Sequence, residues 1–333
     1  MGFIKRGKIV LMAVLGALAL GGLWLFEGDI PATEIDPLYS SSASQFLPRS
    51  DGSRIHFRDE GLRDGPAMVL VHGSNASLHT WEPWVARLGD DWRVVTLDLP
   101  GHGLTGRVPD DDYSMVAFIE TVGAVVDHLG IETFVLGGNS MGGGVTWQYA
   151  LAHPERVRAM VLVDAVGLWS WREQQGPPRG EGSPLAFRLL GQSWFRGIAR
   201  SIDPKPLIRQ GLEASFFDPE KVDDAMVQRY YDLALRSGSR EATLARFEGF
   251  GQARQTPEPD LSTLTQPTLV MWGEHDRLIP VAIGQRFVAV LPRARLVVYP
   301  DAGHIPMEEV PDRSASDLRA FLEEALPASE SGA

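Results

Sequence analysis

Short apolar runs that alternate with amphipathic segments constrain the fold of this chain more than any other feature. The runs lack polar alternation, so both of their faces are expected to be buried, as in a parallel sheet covered by helices. Such an order of strands and helices predicts an α/β fold with a mostly parallel, doubly wound sheet. The predicted strands are Ala67–Val71, Val94–Leu97, Phe134–Leu136, Met160–Val163, Thr268–Trp272 and Leu296–Tyr299, and the predicted helices are Met115–Leu129, Gly142–His153, Val281–Leu291 and Ser314–Leu326. Ile55–Arg58 alternates in polarity and is expected to be an antiparallel edge strand.

One long segment interrupts this alternation of predicted strands and helices. Between residues 165 and 260 no strong strand pattern appears, and the segment is too long for an ordinary loop. It is rich in aromatic residues and helical patterns, which predicts an inserted helical cap. The α/β core is then expected to comprise residues 46–164 and 261–326.

Charge and cysteine content exclude several classes of function. The formal net charge is -12, whereas nucleic-acid binding requires a cationic surface. The chain has no cysteine, which excludes disulfides, thiolate metal sites and a cysteine nucleophile. Its histidines lack the spacing of a metal site such as HExxH, so no metal is expected.

The amino-terminal segment has the pattern of a membrane anchor. Lys5, Arg6 and Lys8 precede an uncharged run, Ile9–Phe26, that would span roughly 27 Å as a helix. Basic residues before the run predict that the following domain lies on the non-cytoplasmic side, which is the periplasm in a Gram-negative bacterium. We expect a transmembrane anchor over residues 1–30 and a polar tether over 31–45. A cleaved signal peptide, giving a secreted protein, and a buried core helix are the alternatives.

A glycine-flanked serine lies between a predicted strand and a predicted helix. The segment Gly138–Gly142 reads GNSMG, with Ser140 at its centre. In a G-x-S-x-G turn the nucleophile occupies a strained position, and bulky residues two positions away on either side would collide with the strand and the helix. Ser140 is therefore the candidate nucleophile.

A serine hydroxyl needs a base, and a histidine base needs an acid to orient it. His304 follows the last predicted strand and is the candidate base; Asp276 follows the strand before it and is the candidate acid. The order serine, aspartate, histidine is the one that this strand–turn–helix motif requires. Asp301 and Asp164 are alternative acids, and His275 is an alternative base.

An oxyanion hole requires two backbone N–H donors. Met141, directly after the nucleophile, is expected to supply one of them. The loop after Ala67–Val71 is expected to supply the other, from Ser74 or, as a second choice, from Asn75.

These motifs resemble the α/β-hydrolase superfamily over roughly residues 46–326. His72-Gly73, the run Asp98–Gly103 (DLPGHG), the elbow at Ser140 and the late aspartate and histidine agree in type and order. The resemblance implies a cap inserted after the sixth strand and no cofactor. Serine at the elbow argues against haloalkane dehalogenases and epoxide hydrolases, which use aspartate there. The elbow is similar to that of meta-cleavage-product hydrolases, which usually carry tryptophan after the catalytic histidine, where this chain has Ile305.

The sequence thus predicts a serine hydrolase that cleaves a small-molecule carboxylic ester with an apolar acyl or aromatic part, held at a membrane by its first helix. Carbon–carbon bond hydrolysis of ring-fission products and cofactor-free perhydrolysis are alternatives within the same fold. A non-catalytic binding protein is a third class, but such relatives generally lose a triad member. No nucleic-acid partner is expected, and the oligomeric state stays open.

Overall fold

A twisted eight-stranded sheet organises the chain, with the strand order β1-β2-β4-β3-β5-β6-β7-β8. The computed structural model describes residues 26–171, 185–249 and 258–326. From β4 through β8 the neighbours are parallel, which confirms the predicted mostly parallel sheet. The strands are β1 Ser44–Pro48, β2 Arg54–Gly61, β3 Ala67–Val71, β4 Arg93–Leu97, β5 Phe134–Asn139, β6 Val157–Val163, β7 Thr268–Gly273 and β8 Ala294–Tyr299.

The segment predicted as an antiparallel edge strand has the expected direction but a different place. It forms β2, which is antiparallel to β4. It is not at the edge, because β1 pairs antiparallel with its other side. The sequence of β1 is short and contains Pro48, so its strand pattern is weak.

Helices cover both faces of the sheet, as the doubly wound pattern predicts. Side chains of β3 alternate between two hydrophobic clusters: Val69 and Val71 belong to one, Met68 and Leu70 to the other. In the described part of the chain the α-helices are α1 Ala32–Tyr39, α2 Glu82–Leu88, α3 Met115–His128, α4 Met141–Ala152, α5 Leu185–Leu190, α6 Ser193–Ala199, α7 Lys205–Ser215, α8 Asp224–Leu235, α9 Ser239–Gly249, α10 Val281–Val290, α11 Pro306–Glu309 and α12 Pro311–Ala325. Helices α3, α4 and α10 pack in the first cluster, and α2 and α12 in the second.

Between β6 and β7 the described chain is helical. The described residues of this insertion form helices α5 to α9 and the connections between them, and none of these residues belongs to a strand. The exact limits of the cap at residues 165 and 260 stay a prediction. The insertion contacts the core at the end of α7, where the Ser215 carbonyl accepts a hydrogen bond from the His304 N–H at 2.7 Å.

Residues 1–25 of the predicted membrane anchor, which hold nearly all of its apolar run, lie outside the described residues, and only its last five residues, 26–30, are described. Within the described ranges no helix has the length and apolar character to cross a membrane. The predicted polar tether over residues 31–45 contains α1 and the start of β1. Ile35 of α1 is buried, and Asp36 forms ion pairs with Arg54 and Arg236, so this segment packs against the folded domain.

Candidate active site

Ser140 stands at the turn between β5 and α4 in a strained backbone conformation. Its φ and ψ are 55° and -116°, which is rare for a residue with a side chain. The glycines beside it permit the close packing of the turn. A Cβ on Gly138 would lie 2.2 Å from the Gly142 carbonyl oxygen, and a Cβ on Gly142 would lie 2.1 Å from the Val71 carbonyl oxygen. The turn therefore tolerates no side chain at either position.

The predicted base and acid lie in direct contact. His304 Nδ1 and Asp276 Oδ2 are 2.7 Å apart, and both side chains are buried. The other carboxylate oxygen of Asp276 accepts the backbone N–H groups of Leu278 at 2.7 Å and Ile279 at 3.0 Å. These bonds hold the carboxylate in place, and a histidine that donates from Nδ1 keeps Nε2 free to accept a proton.

The neighbour of Ser140 joins the elbow to the histidine loop. Asn139 Nδ2 donates to the carbonyl oxygens of His304 at 3.0 Å and Val163 at 3.2 Å. This amide is buried, and its two bonds fix the backbone of the base relative to the turn that carries Ser140. Gly73 is also close, since a Cβ there would lie 3.1 Å from the Ser140 Cβ.

The alternative candidates lie elsewhere. Asp301 is half-exposed and pairs with Arg313. The His275 ring stacks on Phe217, with centroids 4.3 Å apart. Neither takes part in the contact between Asp276 and His304. Asp164 is different, because it is buried beside both of them.

The predicted oxyanion donors lie at the start of α4 and in the loop after β3. Met141 is the first residue of α4, where backbone N–H groups have no partner within the helix. Ser74 follows Gly73 in the loop after β3. For neither N–H does any described residue supply an acceptor. Both groups are therefore available to bind a developing negative charge.

Two of the motifs noted in the sequence build the framework of this loop. His72 donates from Nδ1 to the Gly73 carbonyl at 2.7 Å and accepts the Leu99 N–H at Nε2 at 3.1 Å. Burial lowers the pKa of His72, which fits this neutral tautomer. The Asp98 carboxylate accepts the backbone N–H groups of Leu78 and Leu104, each at 2.8 Å. These residues shape the site and need not touch a substrate.

One triplet of described side chains is close enough to chelate a metal ion: Asp164, Asp276 and His304, with one donor atom of each within 4.8 Å of the others. The His304 Nδ1 in this group is already engaged with Asp276 at 2.7 Å. The geometry is that of an acid–base pair with a second carboxyl group beside it.

A model of the alpha/beta hydrolase fold family matches residues 66–311. The chain belongs to this family. It is 30% identical over 281 residues to the 2-hydroxymuconate semialdehyde hydrolase of Pseudomonas sp. (strain CF600). That alignment covers 82% of this chain and 92% of the Pseudomonas protein. Among solved structures it is similar to a bacterial membrane phospholipase A (TM-score 0.72, 25% identity), over 98% of this chain and all of that one. It is also similar to the 2-hydroxy-6-oxo-6-phenylhexa-2,4-dienoate hydrolase of Rhodococcus sp. strain RHA1 (TM-score 0.70, 26% identity), over 84% of this chain and 99% of that one.

A cap residue of this hydrolase that the sequence did not single out reaches the oxyanion loop. Arg246 of α9 is buried, and its guanidinium donates to Asn75 Oδ1 at 2.8 Å and to Ser74 Oγ at 3.3 Å. It also contacts His102 Nε2. Burial lowers the pKa of Arg246 to about 9. In sequence it is one of two arginines on α9, and nothing local distinguishes it.

Proposed function

We propose that this chain is a serine hydrolase that cleaves carboxylic esters with an apolar acyl chain, as a lipase does. The observation that carries the proposal is the His304–Asp276 pair, anchored through Asn139 to the strained turn of Ser140. Such a pair activates a serine hydroxyl, and an elbow presents that hydroxyl above the sheet.

In the proposed reaction Ser140 Oγ attacks the ester carbonyl while His304 Nε2 accepts its proton. The N–H groups of Met141 and Ser74 stabilise the tetrahedral oxyanion, and Asp276 stabilises the imidazolium. His304 then gives the proton to the leaving alcohol, which leaves an acyl-enzyme. Water, deprotonated by the same histidine, releases the acid and restores Ser140.

The share of this chain that aligns with solved structures favours a lipid-like ester as the substrate. The membrane phospholipase A aligns over 98% of this chain, whereas the Rhodococcus dienoate hydrolase aligns over 84%. The larger alignment extends beyond the α/β core toward the amino terminus, where the sequence predicts a membrane anchor. Membrane attachment and an amphiphilic substrate fit one another.

Carbon–carbon bond hydrolysis is the second candidate, because relatives that act on ring-fission products share the fold and about a quarter to a third of the sequence. A panel of p-nitrophenyl esters of increasing chain length, compared with a 2-hydroxy-6-oxo-dienoate, separates the two. We expect higher kcat/KM on medium- and long-chain esters. Turnover of the dienoate with negligible ester cleavage would replace the first proposal by the second.

The role of Ser140 has its own test, independent of the substrate. A fluorophosphonate probe should label the full-length protein and fail to label Ser140→Ala, and hydrolysis by that variant should fall about 10⁶-fold. Ser262→Ala removes an exposed serine at a turn and serves as the matched control, with full labelling expected. Equal labelling of Ser140→Ala and the parent protein would refute the proposal.

A further inference from the structure

A second carboxyl group lies next to the proposed catalytic acid. Asp164 follows β6 directly, with a left-handed φ of 45° that is strained for an aspartate. Its N–H donates to the Met271 carbonyl at 2.9 Å, and its Oδ1 accepts the Gly273 N–H at 3.0 Å. These bonds fix the side chain, which has no exposed surface, against the end of β7.

The charge state of Asp164 follows from its surroundings. A carboxyl oxygen of Asp164 lies within 4.8 Å of both a carboxylate oxygen of Asp276 and a ring nitrogen of His304. When two buried carboxyl groups lie this close, the charge of one disfavours ionisation of the other. Burial, and then the charge of Asp276, raise the pKa of Asp164 well above its usual range. Asp276 is the one that pairs with the imidazole, so Asp164 holds the proton.

Few groups near Asp164 can accept that proton in a hydrogen bond. Glu309 faces it, but both of its carboxylate oxygens already accept backbone N–H groups, from Phe217 and Asp218 on one side and Gly303 on the other. The Tyr299 hydroxyl, at the end of β8, donates to Asp317 at 3.0 Å. Oδ2 of Asp164 is buried, and no N–H or O–H group of a described residue donates to it.

The proposed acceptor has room for one more donor. Oδ1 of Asp276 accepts two backbone N–H groups, whereas its Oδ2 accepts, among the described residues, from His304 Nδ1 alone. A carboxylate oxygen has lone pairs for two donors. An O–H from Asp164 would therefore complete the hydrogen bonding of Asp276.

We propose that Asp164 is a positioning residue that remains a neutral carboxylic acid and donates a hydrogen bond to the Asp276 carboxylate. The bond disperses part of the negative charge on Asp276. The imidazolium form of His304 is then stabilised less than it would be beside a carboxylate that accepts no other side-chain donor. This inference rests on the proposed catalytic role of Ser140, but not on the choice between ester and carbon–carbon bond cleavage.

The test measures the rate of fluorophosphonate labelling of full-length protein against pH, which requires an activated Ser140 and no particular substrate. In Asp164→Ala the donor is lost, so the midpoint of the acid limb should move up by about one pH unit, as expected for a hydrogen bond to a charged group. Asp164→Asn keeps a hydrogen-bond donor at this position, so the midpoint of its acid limb should equal that of the parent protein. Asp301→Asn removes an exposed carboxyl group on the histidine loop and should leave the midpoint unchanged.

An unchanged midpoint in Asp164→Ala, or equal shifts in the alanine and asparagine variants, would overturn the proposal. If no variant or parent protein is labelled at any pH, the proposed role of Ser140 fails instead.

An isosteric pair of variants gives a second measurement in case Asp164→Ala does not fold. In Asp276→Asn the neighbouring charge is gone, so Asp164 should ionise and partly replace it. Besides the acid limb of the histidine, labelling of this variant should show a second rise with pH as Asp164 ionises. Asp164→Asn/Asp276→Asn should be slower by about 10-fold and lack the second rise, since loss of the triad charge costs up to about 10⁴ where nothing replaces it. Identical profiles of the single and double variants would show that Asp164 is not coupled to the pair and would overturn the proposal.

Discussion

At the scale of single residues, the protein buries several histidines in neutral form. His79 is an example: its Nδ1 lies 2.9 Å from Ser77 Oγ, and the Arg58 guanidinium lies 3.1 Å from its Nε2. Burial lowers its pKa to about 4. Burial also lowers the pKa values of His72 and His102. Burial therefore opposes protonation of these imidazoles in the folded protein, which predicts sensitivity to acid.

We therefore expect the free energy of unfolding to fall as the pH drops below about 6.5, where the histidines of the unfolded chain bind protons that the folded chain does not. The contribution of His79 is present above that pH and is lost progressively toward its folded pKa of about 4. It corresponds to at most about 1.4 kcal/mol per pH unit in this window. Urea unfolding at pH 7.5 and pH 5.0 measures the difference.

The attribution to His79 can be checked with a matched pair. His79→Asn should reduce the difference between the two pH values, whereas His128→Asn, at an exposed position at the end of α3, should not. A difference that is the same in all three proteins would assign the acid sensitivity to other groups.

At the scale of elements, α9 connects the cap with the oxyanion loop. Arg246 donates to Ser74 and Asn75 of that loop, and no carboxylate of the described residues pairs with it. Asn75 has a left-handed φ of 61°, so its loop conformation depends on such support. A buried cation without a counter-charge is costly to fold, which indicates a role in positioning the loop.

Arg246→Met should therefore lower the labelling and hydrolysis rates, by about 10- to 100-fold if one oxyanion donor is partly misplaced. The free energy of unfolding should stay the same or increase, because the unpaired charge is removed. Arg240→Met on the same helix is the contrasting control. Arg240 pairs with Asp29 at 2.9 Å and binds backbone carbonyls, so its loss should destabilise the protein and spare the rate of the folded fraction. Equal rate losses in both variants would indicate a general disturbance of the cap.

At the scale of the whole molecule, the sequence predicts the sheet better than it predicts the connections between distant segments. Strands such as Ala67–Val71 are visible because burial on both faces requires a continuous apolar run. The contact between Asp276 and His304 is expected because parallel strands end at the same edge. The roles of Asn139 and Arg246 cannot be predicted from the sequence, since their hydrogen-bond partners lie 165 and 171 residues away in the chain. The sequence predicts a tether where α1 lies, because the buried surface of this helix is small and its binding depends on distant arginines.

The start of the described chain bears on the proposed membrane attachment. Phe26 forms a β-bridge with Ile202, and the Ile30 N–H donates to the Leu235 carbonyl at 2.7 Å, so residues 26–30 are bound to the cap. Phe26 and Trp194 are each 62% exposed, and Ile198 is 50% exposed, close in the chain to that bridge. The predicted anchor thus leads directly into a part of the cap with exposed apolar side chains.

We expect a protein that lacks residues 2–25 to separate from membranes on ultracentrifugation and to keep its activity on a soluble ester, because the deletion spares the hydrogen bonds that residues 26–30 form with the rest of the described chain. Deletion of residues 2–30 removes those bonds as well, including the Glu27 N–H to Ser201 at 3.0 Å, and should lower thermal stability. If the protein with the shorter deletion still sediments with membranes, replacement of Trp194 and Ile198 by glutamate tests whether the exposed surface of the cap binds the membrane. Release by that double variant would place membrane binding on the exposed cap surface and contradict an anchor that acts alone.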